Sequence, residues 1–179
     1  LSLTKTSLML KPFVAFICCF CIAFAFSAQT CDAPLVPISV DWQEKQDFDK
    51  AEGKVKESLK WLCSHGMHDC TDDRETLNSY VMLWLSAHPN VKIELNTEHL
   101  RFLDSDPELL FVMIHGMALF QLQEPKEKDA DLIHQAGLMA VVEVTKQTKK
   151  YAFKKELKPL RKAARKGRLQ AYLSGELSK

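Results

Sequence analysis

The 179-residue sequence contains few of the short patterns that mark an enzyme. It has no Gly-x-Ser-x-Gly, no His-Glu-x-x-His, no glycine loop that would cradle a phosphate and no aspartate-rich calcium loop. Beyond the N-terminal segment it lacks the Cys-x-x-Cys of redox sites and the Cys-x-x-Cys-His of covalent haem. These absences do not exclude an enzyme, but they favour a protein that catalyses no reaction.

The sequence also lacks a long apolar run outside its N-terminus. The apolar block at residues 12–26 follows Lys5 and Lys11, and it is shorter than the ~20 residues that span a bilayer. A charged start followed by a short apolar block is typical of a secretory signal peptide. We therefore predict a signal peptide at residues 1–28 and a periplasmic or secreted protein. An N-terminal membrane anchor is the alternative.

One stretch of the mature chain, residues 107–122, predicts the centre of the fold. Pro107 and Glu108 are typical of a first helical turn, and from Leu109 to Leu122 only His115 and Gln121 are polar. A helix that is apolar on every side is buried, and this one is too short to cross a membrane. We predict an all-α, single-domain bundle of five to seven helices around this central helix.

The remaining sequence divides into an extended lead-in at residues 29–46 and a helical domain at residues 47–179. Apolar residues recur every three or four positions before and after the central helix, as they do on the buried side of a helix.

Three local features add detail to these helices. Asp72 and Glu75 have the spacing of a capping box at the start of the second helix. Small residues at Gly116 and Gly137 predict a close helix contact. The motifs Trp61-Leu-Cys-Ser-His65 and Trp84-Leu-Ser-Ala-His88 resemble each other, which indicates shared packing.

The densest group of reactive side chains lies in Cys63-Ser-His-Gly-Met-His-Asp-Cys70. The residue types would suit zinc bound by Cys63, His65, His68 and Cys70, although one eight-residue turn can hardly place four ligands around an ion. A Cys63–Cys70 disulfide, stable in an oxidising compartment, is the leading interpretation. Unpaired turn residues are the third.

Two histidines in the apolar helices are candidates for chemistry. His115 lies in the central helix and His134 in the next, and a buried imidazole can act as a general base. Neither has a serine, cysteine or carboxylate at a recognisable spacing, so a structural role is favoured. A hydrolase-like site would require one of them to line a cleft with a carboxylate within hydrogen-bond reach.

Charge is distributed unevenly along the chain. Residues 145–168 contain eleven Lys or Arg and one acid, whereas residues 29–144 contain ten Lys or Arg and 21 Asp or Glu. The basic C-terminal helix predicts contact with an anionic envelope surface such as lipid headgroups. An ordinary solvated helix face is the favoured alternative. Nucleic acid is not expected, because no aromatic residues interleave with the cations. The candidate residues are Lys154, Lys158, Arg161, Lys162, Arg165 and Lys166.

The chain resembles small, exported, all-helical Gram-negative bacterial proteins of unknown function. The resemblance rests on Leu59-Lys-Trp-Leu62, on Leu83-Trp-Leu-Ser-x-x-Pro-Asn-Val91 and on Gly167-x-Leu-x-x-Tyr172. It implies export and no catalytic residues, and the Cys/His cluster departs from its pattern. We therefore predict an exported, non-catalytic binding or structural module with no cofactor and an unknown protein or envelope partner. A metal- or thiol-dependent site at the Cys63–Cys70 turn is the alternative.

Overall fold

The computed structural model of the chain describes residues 31–37, 40, 42, 44–95, 100–127, 129–151 and 154–176. The described residues from Asp32 onward form one compact unit. The predicted signal peptide and part of the predicted lead-in lie outside the described residues. Residues 31–37 of the lead-in have neither helix nor strand.

The described residues form seven α-helices and one turn of 3₁₀-helix, with no strand among them. The predicted all-α bundle is therefore confirmed. The short alternating run at residues 90–95, which has a strand period in the sequence, is irregular. No helix in the described part of the chain is long and apolar enough to cross a membrane. The helices are α1 (Lys45–Ser64), α2 (Thr71–Ala87), α3 (Phe102–Ser105), α4 (Leu109–Gln123), α5 (Ala130–Gln147), α6 (Leu157–Arg165) and α7 (Leu169–Leu173), with the 3₁₀ turn at Lys149–Tyr151.

Helix α4 is the central helix that the sequence predicts. Its residues divide between two groups of buried apolar side chains, because no side of this helix faces water over its whole length. Val112, Met113 and Met117 join α5, α6 and α7 in one group. Ile114, Ala118 and Leu122 join α1 and α2 in the other. The helix thus separates the core into two parts and contributes to both.

Helices α4 and α5 cross at two glycines. A Cβ atom on Gly116 would lie 2.6 Å from Ala140 Cβ and 2.9 Å from the carbonyl oxygen of Ala136. A Cβ atom on Gly137 would lie 2.8 Å from the carbonyl oxygen of Met113. Real Cβ atoms do not approach other atoms so closely, so the missing side chains allow the two backbones to meet. The predicted close contact is confirmed.

The first two helices end with the same local structure. His65 stacks on Trp61 and His88 stacks on Trp84, each with 4.2 Å between ring centroids. The backbone N–H of each histidine donates to the carbonyl oxygen of the tryptophan four residues before it. The repeated Trp-x-x-x-His motif is therefore a helix ending in which the ring stack and the last helical hydrogen bond join the same two residues.

One predicted helix cap and one predicted helix start are wrong. Helix α2 begins after Cys70, which adopts a left-handed conformation with φ 50°, and the predicted Asp72–Glu75 capping box does not form its N-cap. Helix α4 begins after Glu108, two residues later than the sequence pattern indicates. Sequence patterns locate helix ends poorly because capping depends on the chain that precedes the helix.

Candidate ligand-binding cavity

The structure corrects the predicted disulfide. Cys70 forms a disulfide with Cys31, and Cys63 is a free thiol near the end of α1. The predicted Cys63–Cys70 pair is therefore wrong. Burial raises the pKa of Cys63 to about 12, so its thiol stays protonated and unreactive at neutral pH. The sequence could not identify the partner, because three cysteines remain after residue 28 and their pairing depends on tertiary structure.

The four predicted zinc ligands are not brought together. The Nδ1 atom of His65 lies 2.9 Å from the carbonyl oxygen of Trp61, and its Nε2 lies 3.3 Å from a carboxylate oxygen of Asp32. His68 stacks on Tyr151 instead, with ring centroids 6.3 Å apart. Among the described residues, the one group of possible ligand atoms that converges is Cys31, Cys70 and Asp73, in which both sulfurs belong to the disulfide. The Cys63–Cys70 turn is thus a structural turn.

An open depression of about 520 Å³ lies between α2 and α4. The two helices do not approach each other closely here, since α2 packs mainly on α1. We call this space the α2–α4 cavity. Its apolar lining comes from Met67, Met82, Phe111 and Val112; its polar lining comes from His68, Thr71, Arg74, Glu75, Asn78, Ser79, Glu108 and His115.

His115 is the most unusual side chain of the cavity. It has no solvent exposure, and neither ring nitrogen has a hydrogen-bond partner within the described part of the chain. Burial, with a smaller contribution from the nearby Arg74 charge, lowers the pKa of His115 to about 3. The imidazole is therefore neutral at physiological pH and carries one N–H donor and one nitrogen acceptor.

Arg74 is a buried cation in the same cavity. Its side chain lies over the ring of Trp61, and its Nη2 donates to the carbonyl oxygens of Leu62 at 3.2 Å and His65 at 2.7 Å. These contacts stabilise the end of α1, where free carbonyls carry partial negative charge. Its Nε has no partner, and within the described residues Arg74 makes no ion pair.

Asn78 lies one turn after Arg74 on α2, and its buried Oδ1 also lacks a partner among the described residues. Arg74, Asn78 and His115, which carry four buried polar atoms without a partner among the described residues, thus all line one cavity. Folded proteins pair about nine-tenths or more of their buried polar atoms. Three residues with such unpaired buried atoms therefore surround one cavity of ligand size.

A second buried polar group is fully paired. Tyr151 Oη donates to Asp106 Oδ2 at 2.7 Å, and Lys154 Nζ donates to the same oxygen at 3.2 Å. Burial raises the pKa of Asp106, but the two hydrogen bonds, together with the charges of Lys154 and Lys150, outweigh this effect and hold the pKa below its usual value. This network joins the segment before α4 to the segment after α5 and has a structural role.

The geometry does not support a hydrolase-like site. His115 lines the cavity, as such a site requires, but no carboxylate is within hydrogen-bond reach of it in the described part of the chain. A neutral imidazole with a pKa of about 3 is also a weak base. His134 is occupied, since its Nε2 lies 2.7 Å from the carbonyl oxygen of Glu94.

The six predicted anion-binding residues fall into two groups. Lys154 binds Asp106, and Arg161 donates to the carbonyl oxygen of Thr145 at 3.1 Å, so both are directed into the protein. The other four are exposed around α6. With the exposed Arg168, which the sequence analysis did not single out, they form what we call the basic face. The basic face is Lys158, Lys162, Arg165, Lys166 and Arg168.

Sequence reasoning identified His115 but missed Arg74 and Asn78, which line the same cavity. Arg74 lies three residues before Leu77 and seven before Val81, and so occupies the buried stripe of α2. A charged residue in a buried stripe was the signal that could have located the cavity.

No family model, no curated protein and no solved structure matches this chain.

Proposed function

We propose that this protein is an exported, non-catalytic binding module that holds a small organic molecule in the α2–α4 cavity. The observation that carries the proposal is that Arg74, Asn78 and His115, three residues with buried polar atoms that lack a partner in the described part of the chain, line one cavity of about 520 Å³. That volume lies within the usual size range of ligand sites. The disulfide supports export, because such bonds persist in oxidising compartments.

The absence of catalysis in this proposal follows from charge and geometry. A neutral His115 without a carboxylate partner can orient a ligand by hydrogen bonding but is poorly suited to remove a proton. Arg74 can attract an acceptor group, and the apolar lining can remove the rest of the ligand from water. These are binding functions.

Ligand-observed NMR with a mixture of hexanoate, hexanamide and hexylamine tests the proposal. Ser79 is exposed on α2 and lines the cavity, so Ser79→Trp should fill its entrance without disturbing the core. We expect saturation transfer to at least one compound for the wild type and its loss for Ser79→Trp. Ser86→Trp, an equally exposed position on α2 outside the cavity, is the matched control and should bind as the wild type does. Equal signals for all three proteins, or none, would contradict the proposal.

A second candidate function is contact of the basic face with an anionic membrane surface. Two depressions flank α6, of about 340 and 580 Å³, and share Lys158 and Lys162; no acidic residue lines either one. Within the described residues none of the five cations of the basic face forms an ion pair with a carboxylate. Each cation close to an anionic surface contributes about 1 kcal/mol to binding.

Vesicle co-sedimentation tests this second function. The purified protein should sediment with phosphatidylglycerol-containing vesicles at low salt and not with pure phosphatidylcholine vesicles. The double substitution Lys158→Glu, Lys162→Glu should abolish sedimentation. Lys45→Glu with Lys50→Glu makes the same charge change at exposed positions of α1 and should leave more of the binding. Equal losses in the two variants would indicate that net charge alone decides and would remove the assignment to α6.

A further inference from the structure

The larger of the two depressions beside α6 combines cations with an apolar lining. It lies between α5 and α6 and has a volume of about 580 Å³. Its apolar lining is Met139, Val142 and Ala164. The stems of lysine and arginine are also apolar and lie along such a surface while their charged ends reach water. We call this depression the α5–α6 groove. The cations that line it are Lys146, Lys158, Arg161, Lys162 and Arg165.

Met139 is the exposed member of the apolar lining. Its side chain is 39% exposed, whereas Val142 is only 2% exposed. Leu132, seven residues earlier on α5, is 41% exposed. Residues seven apart lie on nearly the same side of a helix, about 10 Å apart along its axis. One side of α5 therefore presents two large apolar side chains to water, and one of them belongs to the groove.

The exposed charges of the groove are positive beyond one ion pair. Lys146 Nζ lies 2.7 Å from Glu143 Oε1, so these two charges of α5 balance each other. Lys158, Lys162 and Arg165 are exposed, and none of the three forms an ion pair in the part of the chain that the structure describes. Their spacing of four and three residues places them on one side of α6. Three cations thus lie beside the exposed methionine.

The smaller depression, on the other side of α6, lacks such an apolar group. Its lining besides cations is Pro159 and Ala163, and Ala163 is buried. An anionic lipid surface presents phosphate groups next to acyl chains, and proteins bind it with cations next to apolar side chains. A partner that carries charge alone would match either side of α6. The α5–α6 groove matches a partner that is both anionic and apolar.

We infer that the protein docks on an anionic membrane with the α5 side of α6, so that Met139 enters the boundary between headgroups and acyl chains. Lys158, Lys162 and Arg165 then lie among the lipid phosphates. The inference rests on the second proposed function, to which it adds the orientation of the protein and an apolar contact. Salt screens the attraction between the charges, but it does not remove the apolar contact.

Co-sedimentation with phosphatidylglycerol-containing vesicles, titrated at about 0.01 M and about 0.1 M salt, tests the apolar contact. Met139→Asn removes the apolar side chain without changing the charge of the protein. It should weaken vesicle binding by at least about threefold at both salt concentrations, because burial of a methionine side chain does not depend on charge. Lys158→Glu with Lys162→Glu should instead flatten the salt dependence, since it removes the part of the binding that salt screens.

Leu83→Asn is the matched control for Met139→Asn. Leu83 is 50% exposed on α2 and lines neither depression beside α6, so this variant should bind vesicles as the wild type does. Equal binding by the wild type and Met139→Asn, or an equal loss in Leu83→Asn, would overturn the inference and leave the second function in place. No sedimentation of the wild type with anionic vesicles would remove both.

Two further measurements cover a folding defect and a different partner. Met139→Trp should strengthen vesicle binding by at least about threefold, because tryptophan favours the membrane interface. It decides the inference should Met139→Asn fail to fold, and weaker binding by Met139→Trp would overturn it. Polyglutamate carries negative charge without acyl chains and should bind the wild type more weakly than the vesicles do. Tighter binding of polyglutamate would indicate an acidic protein as the partner and would also overturn the inference.

Discussion

Helix α4 meets α5 and α2 in opposite ways at two consecutive residues. Gly116 faces α5 with no room even for a methyl group, while His115 faces α2 across a cavity of about 520 Å³. Neighbouring residues of a helix point about 100° apart, so one turn can serve both surfaces. The stability of this bundle and its proposed binding function therefore depend on different sides of the same helix.

The two sides of α4 also differ in the buried polar groups that lie against them. The α5 side is closed at Gly116 and Gly137 by small residues and apolar packing. The α2 side keeps His115, Arg74 and Asn78 buried with unpaired atoms, an arrangement that lowers stability by about 1–3 kcal/mol per unpaired group. Proteins retain such groups at sites where function requires them.

The largest loss of stability is expected from removing the disulfide of Cys70, which lies next to α2 on the open side of α4. Cys70 immediately precedes α2, the helix that forms the cavity wall, and its disulfide to Cys31 closes a loop of about 40 residues. On the chain-entropy model, Cys70→Ser should lower the free energy of unfolding by about 4 kcal/mol. Urea unfolding under non-reducing conditions measures it.

The control for this prediction is the free thiol. Cys63→Ala removes one partly buried sulfur and should lower the free energy of unfolding by only about 1 kcal/mol. Equal losses in Cys63→Ala and Cys70→Ser would indicate that the two cysteines are paired with each other and would contradict the structure.

The next effect tests the closed side. Gly116→Ala places a methyl group against Ala140 and the α5 backbone, and it should lower the free energy of unfolding by about 2 kcal/mol through overpacking. Gly53→Ala is the matched control, because nothing lies within 4 Å of the position that its Cβ would take. It should raise the free energy of unfolding by about 1 kcal/mol, since alanine favours a helix. Effects of the same sign at both positions would exclude close packing as the cause.

An effect of similar size is expected on the open side of α4, where His115 should make the free energy of unfolding depend on pH. The pKa of His115 is about 3 in the folded protein and about 6.5 when unfolded, so below pH 6.5 the unfolded chain binds a proton that the folded chain does not. The free energy of unfolding should therefore be about 2 kcal/mol lower at pH 5 than at pH 8 on account of this residue. His115→Leu should reduce that pH dependence. An identical dependence in both proteins would indicate that His115 is accessible to protons in the folded state.

The smallest effect compares paired and unpaired polar groups. Tyr151→Phe removes a hydrogen bond to Asp106 and should lower the free energy of unfolding by about 1 kcal/mol. His115→Leu removes two unpaired nitrogens and should raise it by about the same amount at pH 8. Thermal unfolding of the two variants measures the difference in sign. Destabilisation by His115→Leu would indicate that the imidazole is satisfied in solution.

Much of the fold could be predicted from the sequence because its signals are local. The apolar run at residues 109–122 predicts a buried helix wherever it is placed, and Gly167, with φ 64°, follows the C-terminal residues of α6 as a helix-ending glycine should. Local patterns failed where the neighbouring chain decides. The helix α2 has Cys70 as its N-cap in place of the predicted residues.

The sequence by itself determined that the chain is a helical bundle around one apolar helix, because hydrophobic periodicity depends on residues three and four apart. Only the tertiary structure decided which cysteine Cys70 joins and which side of α4 is open. It also brought Arg74 and Asn78 of α2 to His115 of α4. These features depend on the positions of residues far apart in the chain, and no single segment of sequence contains that information.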